Sequence, residues 1–265
     1  MTLNYSNLLS LIEKVARDAG QYLLTQTVSV KNHKTRNDLL TENDLVIENF
    51  IIDGIRAEYP DIHIVSEEYN PENDLDGLTV VIDPIDGTCN FAQGLSLYGI
   101  QIAVFYENVC RGAVLYFPVE DIMYTAEEGK GAYKNGTRLV PELNKAPSDG
   151  FLIISDYYDS IDIDFDKQFS LVKALQKHFL KTRHFGAACV DFTMLAEGHA
   201  LAYISYYHKL WDIAPGLLLA KEAGFVYSAV DADTYRYHRP GIIVAANEEM
   251  LKTIKKEADA LGMKK

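Results

Sequence analysis

Residues 80–91 of the chain read Val80-Val81-Ile82-Asp83-Pro84-Ile85-Asp86-Gly87-Thr88-Cys89-Asn90-Phe91. The apolar run predicts a strand that delivers Asp83 at its end, because Pro84 cannot donate to a ladder and interrupts it. Asp86 then falls in a turn, and Gly87 and Thr88 begin a short helix. Two carboxylates this close together can converge on a divalent cation, which prefers oxygen ligands. They can equally cap an exposed turn, so this stretch alone leaves both interpretations open.

Further acidic residues stand where other predicted elements begin or end. Ser66-Glu67-Glu68 directly follows an apolar run at 62–65, as Asp83 follows its own strand. Trp211-Asp212 stands at the start of an apolar helix, and Asp44 at the head of another. Each of these sites alone is explained by helix capping or by exposure. Together they form a pattern of acidic residues at the ends of elements.

The first half of the chain is typical of helices combined with a mainly antiparallel sheet. Apolar residues recur at three- and four-residue steps in the first helix, and Asn135-Gly136 predicts a hairpin turn. The predicted elements are a helix over 8–23, a polar link over 30–38, a helix over 43–58, short strands at 62–66 and 78–83, and successive strands over 98–124.

After Pro147 the pattern changes to alternating strands and helices. The predicted elements are strands at 151–155, 201–205 and 242–246, helices over 166–180, 190–198 and 213–223, and a last helix that Asn247 caps. A long Pro- or Ser-rich linker is missing from the sequence. We therefore expect residues 1–265 to form one unit of two packed halves, 1–147 and 148–265.

Composition excludes several classes of protein. The 265 residues include 25 Lys and Arg against 38 Asp and Glu, a formal net charge of −13, which argues against nucleic acid as a direct partner. No apolar run approaches the roughly 20 residues of a membrane-spanning helix, and the N-terminus has no signal-peptide pattern. The three cysteines lie far apart, so neither a disulfide framework nor a zinc site is expected. We expect a cytoplasmic protein that does not bind a membrane.

Three sequence blocks resemble the signatures of the inositol monophosphatase family: SEE at 66–68, DPIDGT at 83–88 and LWDIAPG at 210–216. The resemblance covers nearly the whole chain, from NDLLTEND at 37–44 through FGAAC at 185–189 to LWDIAPGLLLAKEAG at 210–224, in the family's order. It implies a layered αβαβα sandwich within the α/β (α+β) class. It also implies a Mg²⁺-dependent, lithium-sensitive phosphomonoesterase, often dimeric, that acts on a small phosphorylated metabolite.

The resemblance implies a role for particular residues. Glu67, Asp83, the carbonyl of Ile85, Asp86 and Asp212 would hold two or three Mg²⁺ ions, with Glu67 also counted among the catalytic residues. Thr88, hydrogen-bonded to Asp44, would orient the attacking water, and Glu68 would lie behind the ligands. The implied substrate contacts are Asp86, Gly87, Thr88, Ala188, Ser205 and Asp212. Bound cations would also explain how so acidic a protein accepts an anionic substrate.

Some residues in and around the motifs keep two interpretations. Cys89 reads as a small buried residue rather than a catalytic thiol, because no histidine stands near it in sequence. Lys34 lies where the family has a mobile loop that carries a lysine, so it is a candidate active-site contact. A pocket rim and buried side chains at a sheet edge explain one aromatic run equally well. The run consists of Tyr203, Tyr206, Tyr207 and His208.

Ser205 departs from the family's pattern. Inositol-processing members have an acidic residue seven positions before the aspartate of the WD pair, and here that position is Ser205. A hydroxyl is a weaker acceptor than a carboxylate, so a preference for inositol 1-phosphate is in doubt. The alternative substrates are histidinol phosphate, fructose 1,6-bisphosphate, NADP and adenosine 3′,5′-bisphosphate. A regulatory protein that binds a partner is the non-enzymatic alternative.

Overall fold

A computed structural model describes residues 5–35, 38–71, 74–157, 164–237 and 241–263, and the side chains of residues 5, 6 and 30–38 lie outside that description. Within these ranges the helices are α1 (Tyr5–Leu24), α2 (Glu42–Arg56), α3 (Thr88–Ala92), α4 (Phe165–Leu175), α5 (Ala188–Ala196), α6 (Leu210–Glu222) and α7 (Glu248–Ala260). A single 3-10 turn covers Pro147–Asp149. None of the described helices is long and apolar enough to cross a membrane.

The strands form two large sheets and one hairpin. They are β1 (Val30–Thr35), β2 (Asp38–Thr41), β3 (His63–Ser66), β4 (Leu78–Asp86), β5 (Gly99–Tyr106), β6 (Val109–Phe117), β7 (Ile122–Glu127), β8 (Gly131–Lys134), β9 (Thr137–Arg138), β10 (Phe151–Ile154), β11 (Lys181–Arg183), β12 (Ala200–Ser205), β13 (Val226–Ala229) and β14 (Ile242–Ala245).

The larger sheet has the strand order β3-β4-β5-β6-β7-β8-β9. Its β3–β4 pair is parallel and every other pair is antiparallel. The smaller sheet has the order β11-β10-β12-β14-β13, in which β10 is parallel to both of its neighbours. A mainly antiparallel first sheet and an alternating second region agree with the sequence pattern.

The sheets and helices stack in five layers. Helices α1 and α2 cover one face of the larger sheet, and α6 covers the other face while packing against α5. Helix α5 contacts the smaller sheet through β12, and α7 lies on β13 and β14 with α4 beside it. Strand β4 shows the alternation, since Val80 and Ile82 face α1 and α2 while Val81 faces the second core. The predicted αβαβα sandwich is confirmed.

Several local predictions are confirmed and others are wrong. The Asn135-Gly136 turn joins β8 to β9, and both of its residues have the positive φ of a type I′ hairpin, 47° and 75°. The predicted link over 30–38 is wrong, because residues 30–35 and 38–41 pair as β1 and β2. The predicted helix 166–180 ends early, at Leu175. Two short strands, β11 and β13, were not predicted, because Lys-Thr-Arg and Val-Tyr-Ser-Ala carry almost no alternation.

Helix α5 packs closely against α6. Helix α6 carries Asp212, and the start of α5 donates to Asp86. A Cβ atom built on Gly216 of α6 would lie 2.3 Å from Phe192 Cδ2 of α5, so only glycine fits between the helices. We expect Gly216→Ala to destabilise the protein by about 1–3 kcal/mol through overpacking. Urea unfolding measures the change, with Lys221→Ala on the exposed side of α6 as control. An unchanged unfolding free energy would contradict this packing.

Candidate active site

The parallel pair β3–β4 brings Glu67 beside Asp83. Ser66 is the register partner of Ile82, and the Glu67 N–H donates to the Ile82 carbonyl across 3.3 Å. Glu67 and Asp83 directly follow these paired residues, so they lie at neighbouring positions, since parallel strands run in the same direction. This arrangement places two of the predicted metal ligands side by side.

Asp86 lies within β4 rather than in a turn, which corrects the prediction. Asp83 pairs with Gln101 and Asp86 with Gly99, and the register is irregular between the two pairs because β4 has one extra residue there. Such a bulge re-aims the side chains that follow it. The Asp86 carboxylate accepts the N–H groups of Ala188, at 3.1 Å, and of Cys189 at the start of α5.

Asp212 lies in the first turn of α6 and caps it. Its Oδ2 accepts the N–H of Lys209 at 2.9 Å, so the helix begins at Leu210, earlier than the predicted Ile213. The Asp212 carbonyl in turn accepts Nε2 of Gln101 at 3.2 Å. Because Gln101 is the register partner of Asp83, this contact ties the start of α6 to the strand that carries the motif.

Thr88 and Asp44 meet at the start of α2. Thr41 is the N-cap of this helix, and Asp44 Oδ2 accepts both its N–H at 2.7 Å and its hydroxyl at 2.6 Å. The other oxygen, Asp44 Oδ1, lies 3.2 Å from the Thr88 hydroxyl, which also has the Ile85 carbonyl within 2.9 Å. The chain therefore places an alcohol and a buried carboxylate in direct contact beside the motif.

Mutual repulsion and burial raise the pKa values of this cluster. Burial is the largest cause of the raised pKa of Asp83, followed by the charges of Glu67, Asp86, Asp212 and Asp44. Burial followed by the charge of Glu67 raises the pKa of Asp212. Burial raises the pKa of Asp86, although its hydrogen bonds to α5 oppose the rise. A cation among these groups would reverse the sign of the local charge.

The acidic cluster fits a hard cation by its chemistry. Asp83 Oδ1 is buried and has no hydrogen-bond partner. The carboxylates around it offer only oxygen atoms as metal ligands, which is what a hard cation prefers. No group of three or more His, Cys, Asp and Glu side chains in the described ranges is already spaced to hold a metal ion. The fit therefore rests on the converging charges and on the unpartnered Asp83 oxygen, because the carboxylates of Asp86 and Asp212 accept backbone N–H groups.

Three of the predicted substrate contacts, Asp86, Gly87 and Ala188, lie close together in the structure. A Cβ atom on Gly87 would come within 2.8 Å of both Ala187 Cβ and the Leu97 carbonyl, and Gly87 has a φ of 87°. Ala188, the next residue after Ala187, uses its N–H on Asp86. Ser205 is fully buried, and its hydroxyl donates to the Tyr207 carbonyl at 2.8 Å.

The structure decides between the two interpretations for Cys89 and for two of the tyrosines. Cys89 is exposed, so the prediction of a buried residue is wrong. Tyr203 and Tyr206 are buried, which favours sheet-edge packing over a pocket rim at those positions. The Lys34 side chain lies outside the described residues.

A family model for the inositol monophosphatase family matches residues 4–262 of the chain. The chain belongs to the inositol monophosphatase family. The inositol-1-monophosphatase of Bacillus subtilis (strain 168) is 29% identical over 259 residues, which are 96% of this chain and 97% of that protein. The Nus factor SuhB of Escherichia coli (strain K12) is 30% identical over 255 residues, which are 93% of this chain and 94% of that protein. A solved IMPase of Thermotoga maritima superposes with a TM-score of 0.85 at 25% identity, covering 97% of this chain and 98% of its own.

Several residues that support the site were not predicted from the sequence. Glu48 is fully buried in α2, and Asp191 in α5 is buried with an unpartnered Oδ1. Asn90 Nδ2 donates to the carbonyls of Leu97 and Phe185 and so holds the loop before α5 against the motif. The available signal was an acidic residue on the apolar stripe of a helix, as Glu48 is on the stripe of α2.

Burial raises the pKa of Asp44 to about 6, opposed chiefly by its hydrogen bonds to Thr41. The unfolded chain loses this proton near about pH 4, so without divalent cation the folded state binds more protons between about pH 4 and 6, and stability falls as pH rises through that range. Asp44→Asn has no such proton. Between pH 4.5 and pH 7.5 the unfolding free energy of this variant should rise by about 2 kcal/mol relative to that of the wild type.

Urea titrations in a chelating buffer measure this difference at each pH. Asp53→Asn, at an exposed position of the same helix, is the matched control. Parallel pH profiles for wild type and Asp44→Asn would contradict the assignment.

Proposed function

We propose that the protein is a Mg²⁺-dependent phosphomonoesterase that hydrolyses inositol 1-phosphate or a similar polyol or sugar phosphate. The observation that carries this proposal is the buried, unpartnered Asp83 oxygen, on which the charges of Glu67, Asp86 and Asp212 converge. In the proposed reaction an oxygen of water bonds to phosphorus while the ester P–O bond breaks. The leaving alcohol takes up a proton.

Glu67, Asp83, Asp86, Asp212 and the Ile85 carbonyl are proposed to hold two or three Mg²⁺ ions. When bound, Mg²⁺ supplies positive charge that offsets the phosphate's charge and makes a water molecule a better nucleophile. The five proposed donors are all oxygens, and the substrate phosphate would complete the coordination.

The Thr88–Asp44 pair is proposed to orient the attacking water. With its proton directed to Asp44 Oδ1 or to the Ile85 carbonyl, the Thr88 oxygen keeps lone pairs that can accept a hydrogen bond from water. Asp44 is held in turn by two hydrogen bonds from Thr41, so the geometry of the pair is fixed before substrate arrives. Fixed geometry of this kind lowers the entropic part of the barrier.

Solved structures of the same fold support a phosphorylated substrate. An IMPase/NADP phosphatase was crystallised with Mg²⁺ and phosphate, and it matches this chain with a TM-score of 0.78 at 23% identity. A staphylococcal IMPase-I was crystallised with its products, and SaIMPase-II with 2′-AMP. Their ligands do not fix the alcohol part of the substrate of this chain. Histidinol phosphate, fructose 1,6-bisphosphate, NADP and adenosine 3′,5′-bisphosphate therefore stay as alternative substrates for this chain.

A regulatory role is the second candidate function, because relatives at 30–32% identity are named Nus factor SuhB. The net charge of −13 disfavours direct contact with RNA, so such a role would act through a protein partner. We further propose lithium sensitivity, a cytoplasmic location and a homodimer, as the family resemblance implies.

Absolute metal dependence is the first consequence of the proposal. Hydrolysis of inositol 1-phosphate and 2-glycerophosphate should require Mg²⁺, and Asp83→Asn should lose several kcal/mol of transition-state stabilisation, a loss of at least about a thousandfold in kcat/KM. Phosphate release is the measurement, and Asp149→Asn at an exposed position is the control. Activity that persists in excess chelator would refute a metal site. Absence of turnover on every ester of a broad panel would favour the regulatory candidate.

The Thr88 hydroxyl gives a second, separate consequence. Thr88→Ala should lower kcat by about a hundredfold with little change in KM, because the lost contact orients water in the transition state. Thr88→Ser keeps a hydroxyl and should recover most of the rate, while the exposed Thr137→Ala serves as control. An unchanged kcat in folded Thr88→Ala would leave Thr88 with a structural role only.

A further inference from the structure

Glu48 is a charged residue buried completely inside the fold, one helical turn after Asp44 in α2. Its carboxylate is surrounded by donors from a single short segment. Oε1 accepts the Ser66 hydroxyl at 2.5 Å and the Tyr69 N–H at 2.8 Å, and Oε2 accepts the Glu68 N–H at 2.9 Å. A carboxylate with three such bonds is a strong and directional anchor.

These donors enclose Glu67 on both sides. Ser66 precedes it, Glu68 follows it, and its own N–H is bonded to the Ile82 carbonyl of the neighbouring strand. The backbone of Glu67 is thus fixed from α2 and from β4 together. Because Ile82 directly precedes Asp83, these attachments hold Glu67 at the position next to Asp83 on the neighbouring strand.

We infer that Glu48 is a positioning residue for the metal site, acting through Glu67. The inference rests on the proposed function, because it assigns to Glu48 the task of holding a metal ligand in place before Mg²⁺ binds. In the contacts described, the Glu48 carboxylate bonds only to the segment 66–69. It therefore affects the metal site through the position of Glu67 and not as a ligand itself. Residues that hold ligands in this way commonly contribute 10–100-fold to metal affinity.

Helix α2 then fixes two parts of the site from one face. Asp44 bonds the Thr88 hydroxyl, and Glu48, four residues later, bonds the segment that carries Glu67. Residues four apart lie on the same side of a helix. A shift of α2 would therefore move the proposed water-orienting pair and the proposed metal ligand together.

Glu222 provides a matched control within the chain. Its carboxylate also accepts two backbone N–H groups of a turn, those of Gly129 at 2.9 Å and Gly131 at 2.8 Å, but that turn belongs to the β7–β8 connection. Glu48→Gln and Glu222→Gln make the same chemical change. In each, an amide NH₂ can face a backbone N–H, donor against donor.

The experiment measures Mg²⁺ binding by calorimetry, the Mg²⁺-induced rise in Tm, and the Mg²⁺ concentration for half-maximal hydrolysis of 2-glycerophosphate. Glu48→Gln should weaken Mg²⁺ binding about tenfold or more, with kcat at saturating Mg²⁺ close to that of the wild type. Glu222→Gln should lower Tm without changing Mg²⁺ affinity. Ser66→Ala removes one of the three bonds, and it should give a smaller shift in Mg²⁺ affinity in the same direction.

The outcomes separate this inference from the proposed function. Wild-type Mg²⁺ affinity in both Glu48→Gln and Ser66→Ala would overturn the role of Glu48 while leaving a Mg²⁺-dependent wild-type enzyme intact. An equal loss of Mg²⁺ affinity in Glu222→Gln would also overturn it, because the effect would then follow general destabilisation. A wild-type protein that binds no Mg²⁺ would instead refute the proposed function. If Glu48→Gln does not fold, the Ser66→Ala titration decides.

Discussion

Burial of Asp83 among other carboxylates is the constraint on which the rest of the site depends. Asp83 lies within β4, directly before the bulge in that strand, and the charges of Glu67, Asp86 and Asp212 all raise its pKa. Like charges in a buried site destabilise the fold unless donors or cations offset them. Asp86 and Asp212 have backbone donors, whereas Asp83 keeps one oxygen without a partner. The fold thus retains an unfavourable arrangement at the place where a cation would be stabilising.

Helix N-termini supply the offsetting donors. Asp44 and Asp212 each occupy the third position of their helices, α2 and α6. The carboxylate of each accepts the backbone N–H of the residue that directly precedes its helix. Asp86 accepts the first two N–H groups of α5 from outside that helix. The N-terminus of a helix carries partial positive charge and favours a nearby carboxylate. The N-termini of α2, α5 and α6 therefore lie at the site together with that of α3, which begins at Thr88, and α5 packs closely on α6.

The sequence predicts those candidate site residues that lie close together along the chain. Asp83, Asp86 and Thr88 fall in one motif, and the apolar run before them predicts the strand. Glu48 could not be found in this way, because an acidic residue in a helix ordinarily reads as exposed, and its partners lie about twenty positions away. Asp86 was placed in a turn because a bulge in β4 depends on the register with β5. Cys89 was expected to be buried because the side of a five-residue helix that meets solvent depends on tertiary packing.

The phosphate end and the alcohol end of the proposed site are built from different elements. The carboxylates come from strand ends and helix N-termini that the whole sandwich holds in place, whereas the segment from Ser205 to Lys209 is a short connection between β12 and α6. In that connection the Ser205 hydroxyl is bonded to the Tyr207 carbonyl, and burial lowers the pKa of His208 to about 3, so the ring is neutral at physiological pH. Neither side chain offers the negative charge that an inositol hydroxyl would meet in the family's pattern. Membership of the family supports a phosphatase, while we propose that substrate choice depends on a connection that can change without disturbing the carboxylates.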